Sequence, residues 1–326
     1  MISVLIPAHN AEPYIGAALD SLLSQQCELE IVICDDGSTD STREVAFAYA
    51  KVDSRIRILS QPNTGAAAAR NRAFKQSKGD WIIFFDADDF LAPGSLAAMM
   101  EIAAKHPGDG VFAPWTKFLG SPDGAIPGNP LIKGDFPGAR WLELAFQLDE
   151  PTYPGRFLLP RGVIESVGGW DERLRFQDDM EFYARVIARI PVMRYCPTAL
   201  FCYRQGVVGS ISNTYDKRSA GSCMLATDLA ATHLLAANGG RGARRASVRQ
   251  LMLVAHATYL SEPNISREAE RRAKEISVSR FDRPWLRGGP ARRMLQFLFG
   301  WKTALRLHNW LRYRLPQILA DIKKLA

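Results

Sequence analysis

The sequence contains few cysteines, and their spacing forms no pattern that would bind zinc or build a disulfide framework. Its 326 residues include five cysteines, none of them in a Cys-x-x-Cys pair. An odd number of dispersed cysteines excludes a disulfide scaffold and argues against a structural zinc site. We therefore expect reduced thiols, most of them packed in the interior.

Long hydrophobic runs are also absent. No stretch reaches the roughly 18 consecutive apolar residues that a membrane-spanning helix needs. The first ten residues, Met1–Asn10, lack the basic and apolar segments of a secretory signal. A composition of 47% hydrophobic and 23% charged residues is typical of a globular protein. We expect a cytoplasmic location, with peripheral contact at the inner face of the plasma membrane as a further possibility.

Charge is distributed unevenly along the chain. The net charge is +7, yet the residues up to Gly239 include 22 basic and 28 acidic side chains, whereas those from Gly240 onward include 19 basic and 6 acidic ones. Such a break predicts a near-neutral body followed by a basic C-terminal region. We expect the domain boundary itself before this change in charge, near residue 215, with domains at 1–215 and 216–326.

Strand and helix patterns alternate in the first hundred residues. Short apolar runs predict buried strands, and helical spacing of apolar residues predicts helices between them. The strands are expected at Ile2–Pro7, Leu29–Cys34, Ile56–Leu59 and Trp81–Phe85, and the helices include Glu12–Gln25 and Thr64–Ser77. This alternation predicts an α/β fold with a mainly parallel sheet, whose ligands bind at the carboxyl ends of the strands.

Three carboxylates follow the fourth predicted strand. Asp86, Asp88 and Asp89 repel one another unless water or a cation neutralises them. Hard oxygen ligands of this kind suit Mg²⁺ or Mn²⁺, which also bind substrate phosphates. The alternative is that Asp89 and a neighbour cap the helix that follows Pro93. The three residues alone leave both interpretations open.

Several motifs together resemble one known family. In chain order they are Pro7-Ala8-His9-Asn10, Asp35-Asp36-Gly37-Ser38-Thr39-Asp40, Asn63-x-Gly65 with Ala69-Arg70-Asn71, Asp86-Ala87-Asp88-Asp89, Gly168-Gly169-Trp170-Asp171-Glu172 and Asp178-Asp179. This order resembles the family 2 glycosyltransferases over Ser3–Ser212. The resemblance implies the nucleotide-sugar-binding fold called GT-A, with residues 1–107 as the donor half and 108–215 as the acceptor half.

The resemblance implies a donor site in the first half. Asp35 corresponds to the aspartate that hydrogen-bonds the base, typically uracil, Arg70 to an arginine near the donor diphosphate, and Asp88 to the residue that binds Mn²⁺ or Mg²⁺. Asp36 and Asp40 are expected to shape the turn, and Asp89 to be structural. The implied donor-binding residues are Pro7, Ala8, Asn10, Glu12, Asp35, Asn63, Arg70, Asp86 and Ala87.

The resemblance also implies a catalytic base and a sugar pocket in the second half. Asp179 corresponds to the second acid of the family's Glu-Asp motif, the general base, and Asp178 stands where the family usually has glutamate. Trp170 either stacks on a sugar face or belongs to the core. The implied acceptor and sugar pocket comprises Gly169, Trp170, Asp171, Asp178 and Arg204.

The basic C-terminal region predicts almost only helices. Met294, Leu298, Trp301 and Leu305 share one face of the last one. A basic helix with tryptophans can lie on an anionic membrane surface. The alternative is packing on the catalytic body or on a second copy, which would give a homo-oligomer. No nucleic-acid-binding module is recognisable, so no nucleic-acid partner is expected.

These patterns favour an inverting, metal-dependent glycosyltransferase. The expected donor is a nucleotide sugar, with UDP as the first choice, and the expected acceptor is a cell-surface glycan or a lipid-linked saccharide. A sugar nucleotidyltransferase is disfavoured because no glycine-rich phosphate loop follows the first strand. A catalytically degenerate, nucleotide-sugar-binding paralogue with a scaffolding role is the remaining alternative.

Overall fold

The computed structural model describes residues 1–122, 130–207, 217–277 and 300–307. The chain divides into two compact units, Met1–Ala243 and Arg244–Ala326. The boundary predicted near residue 215 falls on residues 208–216, which lie outside the described residues. A membrane-spanning helix is absent from the part of the chain that the structure describes.

The N-terminal half of the first unit alternates strands and helices as the sequence predicts. Its elements are β1 (Ile2–Ala8), α1 (Glu12–Leu23), β2 (Leu29–Asp36), α2 (Thr42–Val52), β3 (Ile56–Gln61), α3 (Ala66–Gln76), β4 (Trp81–Phe84), β5 (Phe90–Leu91) and α4 (Ser95–Lys105). Strands β1 to β4 pair in parallel, in the order β3-β2-β1-β4. Their apolar runs, such as Val4, Leu5 and Ile6 in β1, are fully buried, because helices cover both faces of a parallel sheet.

The second half of this unit completes the sheet with mixed pairing. It contains β6 (Gly110–Phe112), β7 (Trp115–Phe118), β8 (Phe136–Pro137), α5 (Gly138–Leu148), β9 (Phe157–Pro160), α6 (Arg161–Val167), α7 (Asp178–Ile187), β10 (Val192–Tyr195), β11 (Phe201–Arg204) and α8 (Lys217–Ala237). The sheet continues β4-β9-β6-β10-β8, in which β9 is antiparallel to both of its neighbours. A small second sheet has the order β5-β11-β7. This architecture confirms the predicted α/β class.

The second unit is helical where it is described. Helix α9 (Arg241–Thr258) continues into it, and α10 (Pro263–Ile276) follows. The Ser266 hydroxyl donates a hydrogen bond to the Ala255 carbonyl, which ties α10 to α9. Trp301 lies 4.5 Å from the His256 ring and is buried, as is Leu305. Trp301 of the predicted amphipathic face therefore packs on a ring of its own unit, while Met294 and Leu298 lie outside the described residues.

Candidate active site

The carboxyl ends of β1, β2 and β4 lie side by side, as parallel pairing requires. Ala8 is in register with Asp35, and Leu5 with Phe84, two residues before Asp86. The sheet therefore brings together three of the predicted donor-binding segments. Pro7 lies within β1 and Ala87 is buried directly after β4, so both shape this edge mainly through their backbone.

Asn10 and Glu12 hold the turn between β2 and α2. Asn10 has a left-handed backbone with φ of 49°, and its side-chain oxygen accepts a hydrogen bond of 2.8 Å from the Thr39 amide. The Glu12 carboxylate accepts one of 3.1 Å from the Ser41 amide. Both predicted donor-binding residues thus lie at the site and stabilise the loop beside Asp35.

Asp35 and Asp36 play different parts at the end of β2. Asp35 is 4% exposed and accepts a hydrogen bond of 3.3 Å from the Ser38 amide. The Asp36 carboxylate accepts bonds from the amides of Thr64 and Gly65, at 2.9 and 2.8 Å. Asp36 therefore positions the segment that begins α3, and these contacts lie outside the turn that it was expected to shape.

His9 is a site residue that the sequence reasoning missed. Its Nδ1 lies 2.9 Å from the Asp36 carbonyl oxygen and its Nε2 lies 3.1 Å from the side-chain nitrogen of Asn63. Both side chains are exposed at the mouth of the site. The signal was available, because His9 stands between Ala8 and Asn10 in one predicted loop.

Arg70 joins the two halves of the site. Its guanidinium donates to Asp86 at 2.8 Å and to Asp178 at 2.7 Å, and its side chain is only 7% exposed. Burial works against its charge, but the two carboxylates outweigh burial and raise its pKa. The predicted diphosphate arginine is therefore the cation of a buried bridge between β4 and α7.

Trp170 lies beneath that bridge. Its ring stacks on Phe182 with centroids 4.1 Å apart, and the Arg70 guanidinium lies 4.3 Å above it. The side chain is buried, so its position agrees with the core alternative. Asp171, also predicted for the sugar pocket, pairs instead with Arg173 in a local turn.

Two side chains fix the loop that carries Trp170. Asn71 accepts a hydrogen bond from the Trp170 amide at 2.7 Å and donates to its carbonyl at 2.9 Å. Arg185 donates to the carbonyls of Val167, Gly168 and Gly169. A Cβ at Gly169 would collide with the Asn71 side chain, which explains the glycine there.

Asp179 has the properties of a base at near-neutral pH. Burial, and secondly the Asp178 charge, raise its pKa to about 6. One of its carboxylate oxygens accepts a hydrogen bond of 2.9 Å from the Thr152 hydroxyl. Thr152 gave no signal in the sequence, because it precedes Asp179 by 27 residues in a segment without a motif.

In the acidic loop after β4, the Asp89 carboxylate is structural and the Asp88 carboxylate is available to bind a ligand. Asp89 is buried, burial raises its pKa well above the ordinary value, and it accepts a hydrogen bond of 2.9 Å from the Arg204 amide. Burial, and then the Asp86 charge, raise the pKa of Asp88 to about 6. The Asp88 carboxylate accepts no hydrogen bond from any other residue that the structure describes.

Arg204 packs against this loop. Its Nε donates to the Asp88 carbonyl at 2.6 Å and its Nη1 donates to the Gly120 carbonyl at 2.5 Å. The guanidinium also lies over the Phe118 ring at 4.5 Å. Arg204, which was predicted for the sugar pocket, therefore orients the backbone that carries Asp88.

The donor set around Asp88 is compatible with Mg²⁺ or Mn²⁺. The described residues contain no cluster of three or more His, Cys, Asp or Glu side chains arranged to hold a metal ion. These cations, however, are commonly held by one or two carboxylates together with water and substrate phosphates. Asp88, with Asp86 beside it, supplies such carboxylates, and a cation would relieve the repulsion that raises the pKa of Asp88.

Similarity to solved structures agrees with this architecture. The crystal structure of S. aureus TarS 1–349 in complex with UDP-GlcNAc matches with a TM-score of 0.71 at 16% identity, covering 95% of this chain and 91% of the TarS 1–349 chain. At that identity the match shows the fold. It confirms the predicted GT-A architecture and a helical C-terminal part.

Sequence comparison identifies relatives that match part of the chain. The uncharacterized glycosyltransferase EpsJ of Bacillus subtilis is 29% identical over 212 residues, which are 63% of this chain and 61% of EpsJ. Chondroitin synthase of Pasteurella multocida is 43% identical over 102 residues, 31% of this chain and 11% of that enzyme. The chain thus spans about three-fifths of the first relative and a small part of the second.

A family model covers the N-terminal part of the chain. The model of glycosyl transferase family 2 matches residues 3–151, which include β1 to β4 and the acidic loop after β4. The relatives carry glycosyltransferase names, and the fold is the one that the sequence motifs imply. Residues 3–151 of the chain therefore match glycosyl transferase family 2, and the name of EpsJ agrees with that match.

Proposed function

We propose that this protein is an inverting, metal-dependent glycosyltransferase that moves a sugar from a UDP-sugar to a hydroxyl group of a glycan or lipid-linked saccharide. The observation that carries the proposal is the Arg70 bridge. Arg70 donates hydrogen bonds to both Asp86 and Asp178. Asp86 lies two residues before the candidate metal ligand Asp88, and Asp178 directly precedes the candidate base Asp179. The bridge supports the proposal because it links the segments that carry the two groups that an inverting transfer needs, the candidate metal ligand and the candidate base.

Asp179 is the proposed general base. A carboxylate whose pKa lies near 6 is ionised at neutral pH and still basic enough to accept a proton. It would take the proton of the acceptor hydroxyl while that oxygen forms a bond to the anomeric carbon and the bond to the diphosphate breaks. One displacement at one carbon inverts its configuration.

Asp88 and Asp86 would hold the divalent cation. Such a cation supplies charge neutralisation for the leaving diphosphate. Arg70 keeps Asp86 oriented, and Arg204 fixes the backbone carbonyl of Asp88. The choice of UDP is supported by the bound UDP-GlcNAc of TarS, and the choice of a glycan acceptor by the name of chondroitin synthase.

The proposal includes peripheral contact with an anionic membrane surface through the basic C-terminal region. The excess of 19 basic over 6 acidic residues from Gly240 onward supports it. Because Trp301 is buried within its own unit, the contact would rest on charged side chains and on residues outside the described part.

A thermal-shift panel tests the donor site. UDP with Mn²⁺ is expected to raise the melting temperature, because a ligand of the folded state adds about 2.7 kcal/mol at a hundredfold excess over Kd. Asp88→Asn should abolish the Mn²⁺-dependent part of the shift, while GDP, dTDP and CMP should give smaller shifts. Absence of any nucleotide shift in the wild type would contradict the proposed donor site.

The pH dependence of kcat/KM tests the base. Activity is expected to rise with pH through about 6, as Asp179 loses its proton. Thr152→Val removes a hydrogen bond that stabilises the carboxylate, so the acidic limb should move up by about 0.5–1 pH unit. Asp178→Asn removes a negative charge and should move the limb down. If the acidic limb of kcat/KM moved in the same direction in both variants, that result would contradict the assignment of Asp179 as the base.

A further inference from the structure

Three aromatic rings form one wall of the site, and neither the motifs nor the proposed function uses them. The Tyr153 ring stacks on Tyr203 with centroids 4.3 Å apart and planes at 11°, and it meets Trp115 edge-to-face at 5.2 Å. All three side chains are partly exposed. We call Trp115, Tyr153 and Tyr203 the aromatic wall.

The small sheet supports the wall from behind. Trp115 of β7 is in register with Phe201 of β11, and Tyr203 lies two residues further along the same strand. Residues two apart on a strand point to the same face, so Trp115, Phe201 and Tyr203 share one side. The Trp115 ring nitrogen donates to the buried Glu150 at 3.1 Å. The wall is therefore held rigidly.

Tyr153 lies beside residues that contact the candidate base Asp179 and the structural Asp89. Thr152, its neighbour, hydrogen-bonds Asp179, and the amide of Arg204, next to Tyr203, hydrogen-bonds Asp89. Burial, then Tyr203 and the charges of Asp179 and Asp89, raise the pKa of the Tyr153 hydroxyl. The charges of both carboxylates therefore act on one phenol.

The Tyr153 hydroxyl has no partner among the residues that the structure describes. It makes no hydrogen bond with any residue in the described ranges, although most tyrosine hydroxyls in such partly buried positions find a partner. A flat apolar surface next to an unused hydroxyl is suited to a pyranose ring, which has apolar C–H faces and hydroxyls at its rim. A purely structural ring would need neither the exposure nor the free hydroxyl.

We propose that Tyr153, supported by Trp115 and Tyr203, binds the pyranose ring of the donor and sets its position between the Asp88 side of the site and Asp179. This inference rests on the proposed function. In that reaction the transferred sugar must span the distance from the diphosphate to the base. Tyr153 follows Thr152, which binds the base, and stacks on Tyr203, which precedes the Arg204 amide bound to the acidic loop after β4.

Calorimetric titration in the presence of Mn²⁺ tests the inference. UDP and four UDP-sugars (UDP-glucose, UDP-galactose and their N-acetyl forms) are titrated into the wild type, and the tightest sugar is used for the variants. Tyr153→Phe keeps the ring stack and removes one hydrogen bond, so affinity for the UDP-sugar should fall about fivefold while affinity for UDP is unchanged. Tyr153→Leu should weaken UDP-sugar binding further, with UDP again unchanged.

The control is Tyr49→Phe, which removes a tyrosine hydroxyl that bonds Asp20 between α1 and α2 and should bind both ligands as the wild type does. Equal affinities of Tyr153→Phe and wild type for the UDP-sugar would overturn the inference. So would an equal loss for UDP and UDP-sugar, or a wild type that binds no UDP-sugar more tightly than UDP. Failure of the wild type to bind UDP at all would instead overturn the proposed function.

Discussion

Asp179→Asn is expected to lower the rate of sugar transfer by about 10³-fold while leaving the affinity for UDP within about twofold of the wild type. Loss of a positioned general base costs roughly 10²- to 10⁴-fold in rate. Asparagine keeps the size of the side chain and can still accept the hydrogen bond from Thr152. The measurements are kcat with a UDP-sugar donor and calorimetric titration of UDP with Mn²⁺.

The same substitution is expected to stabilise the fold. Because the pKa of Asp179 is raised in the folded state, the folded protein binds this proton more tightly than the unfolded chain does. Its contribution to stability is therefore present at low pH and is lost as the pH rises through about 6. At pH 7.5 Asp179→Asn should raise the free energy of unfolding by about 1–2 kcal/mol.

The matched control is Glu101→Gln, which neutralises an exposed acid on α4 that pairs with Lys105. It should change neither turnover nor stability measurably, since exposed ion pairs contribute little. An Asp179→Asn protein with wild-type turnover would show that another group accepts the proton. A destabilised Asp179→Asn protein would contradict the inferred cost of ionising this carboxylate.

Arg70→Met is expected to have the largest effect on stability, a loss of about 3–4 kcal/mol in the free energy of unfolding at pH 7.5. Removing one partner of a buried ion pair leaves the other uncompensated, and here two carboxylates, those of Asp86 and Asp178, lose their cation. The stacking of the guanidinium over Trp170 is lost as well. Denaturant unfolding followed by circular dichroism measures the change.

Arg55→Met is the control for this loss. Arg55 also pairs with a carboxylate, that of Asp53 at 2.8 Å, but both side chains are partly exposed at 35% and 23%, so its removal should cost about 1 kcal/mol or less. The double variant Arg70→Met/Asp178→Asn should recover part of the lost stability, because one uncompensated charge is gone. Equal losses for Arg55→Met and Arg70→Met would contradict the bridge.

Turnover adds an independent test of the bridge. The positive charge of Arg70 lowers the pKa values of both Asp88 and Asp179. In Arg70→Met these pKa values should rise, and the acidic limb of kcat/KM should move to higher pH. If Arg70 were purely structural, Arg70→Met would lower the free energy of unfolding without moving the acidic limb of kcat/KM.

Local sequence accounts for the N-terminal half of the fold. The strands predicted at Ile2–Pro7, Leu29–Cys34 and Trp81–Phe85 agree with β1, β2 and β4 to within two residues. The reason is that each is a short, uninterrupted apolar run, which is typical of a strand covered on both faces. Between residues 108 and 133 the sequence predicts only loops around one or two strands, and β6 and β7 are short strands paired with distant parts of the chain.

The sequence by itself determined the class of the protein and the carboxylates of its site, because strand ends and family motifs are encoded within a few consecutive residues. Only the tertiary structure decided what those residues do for one another. The Arg70 bridge joins positions 16 and 108 residues apart, Thr152 reaches Asp179, and Tyr153 stacks on Tyr203. Contacts of this kind depend on how distant elements pack, and no local pattern of residue types records that packing.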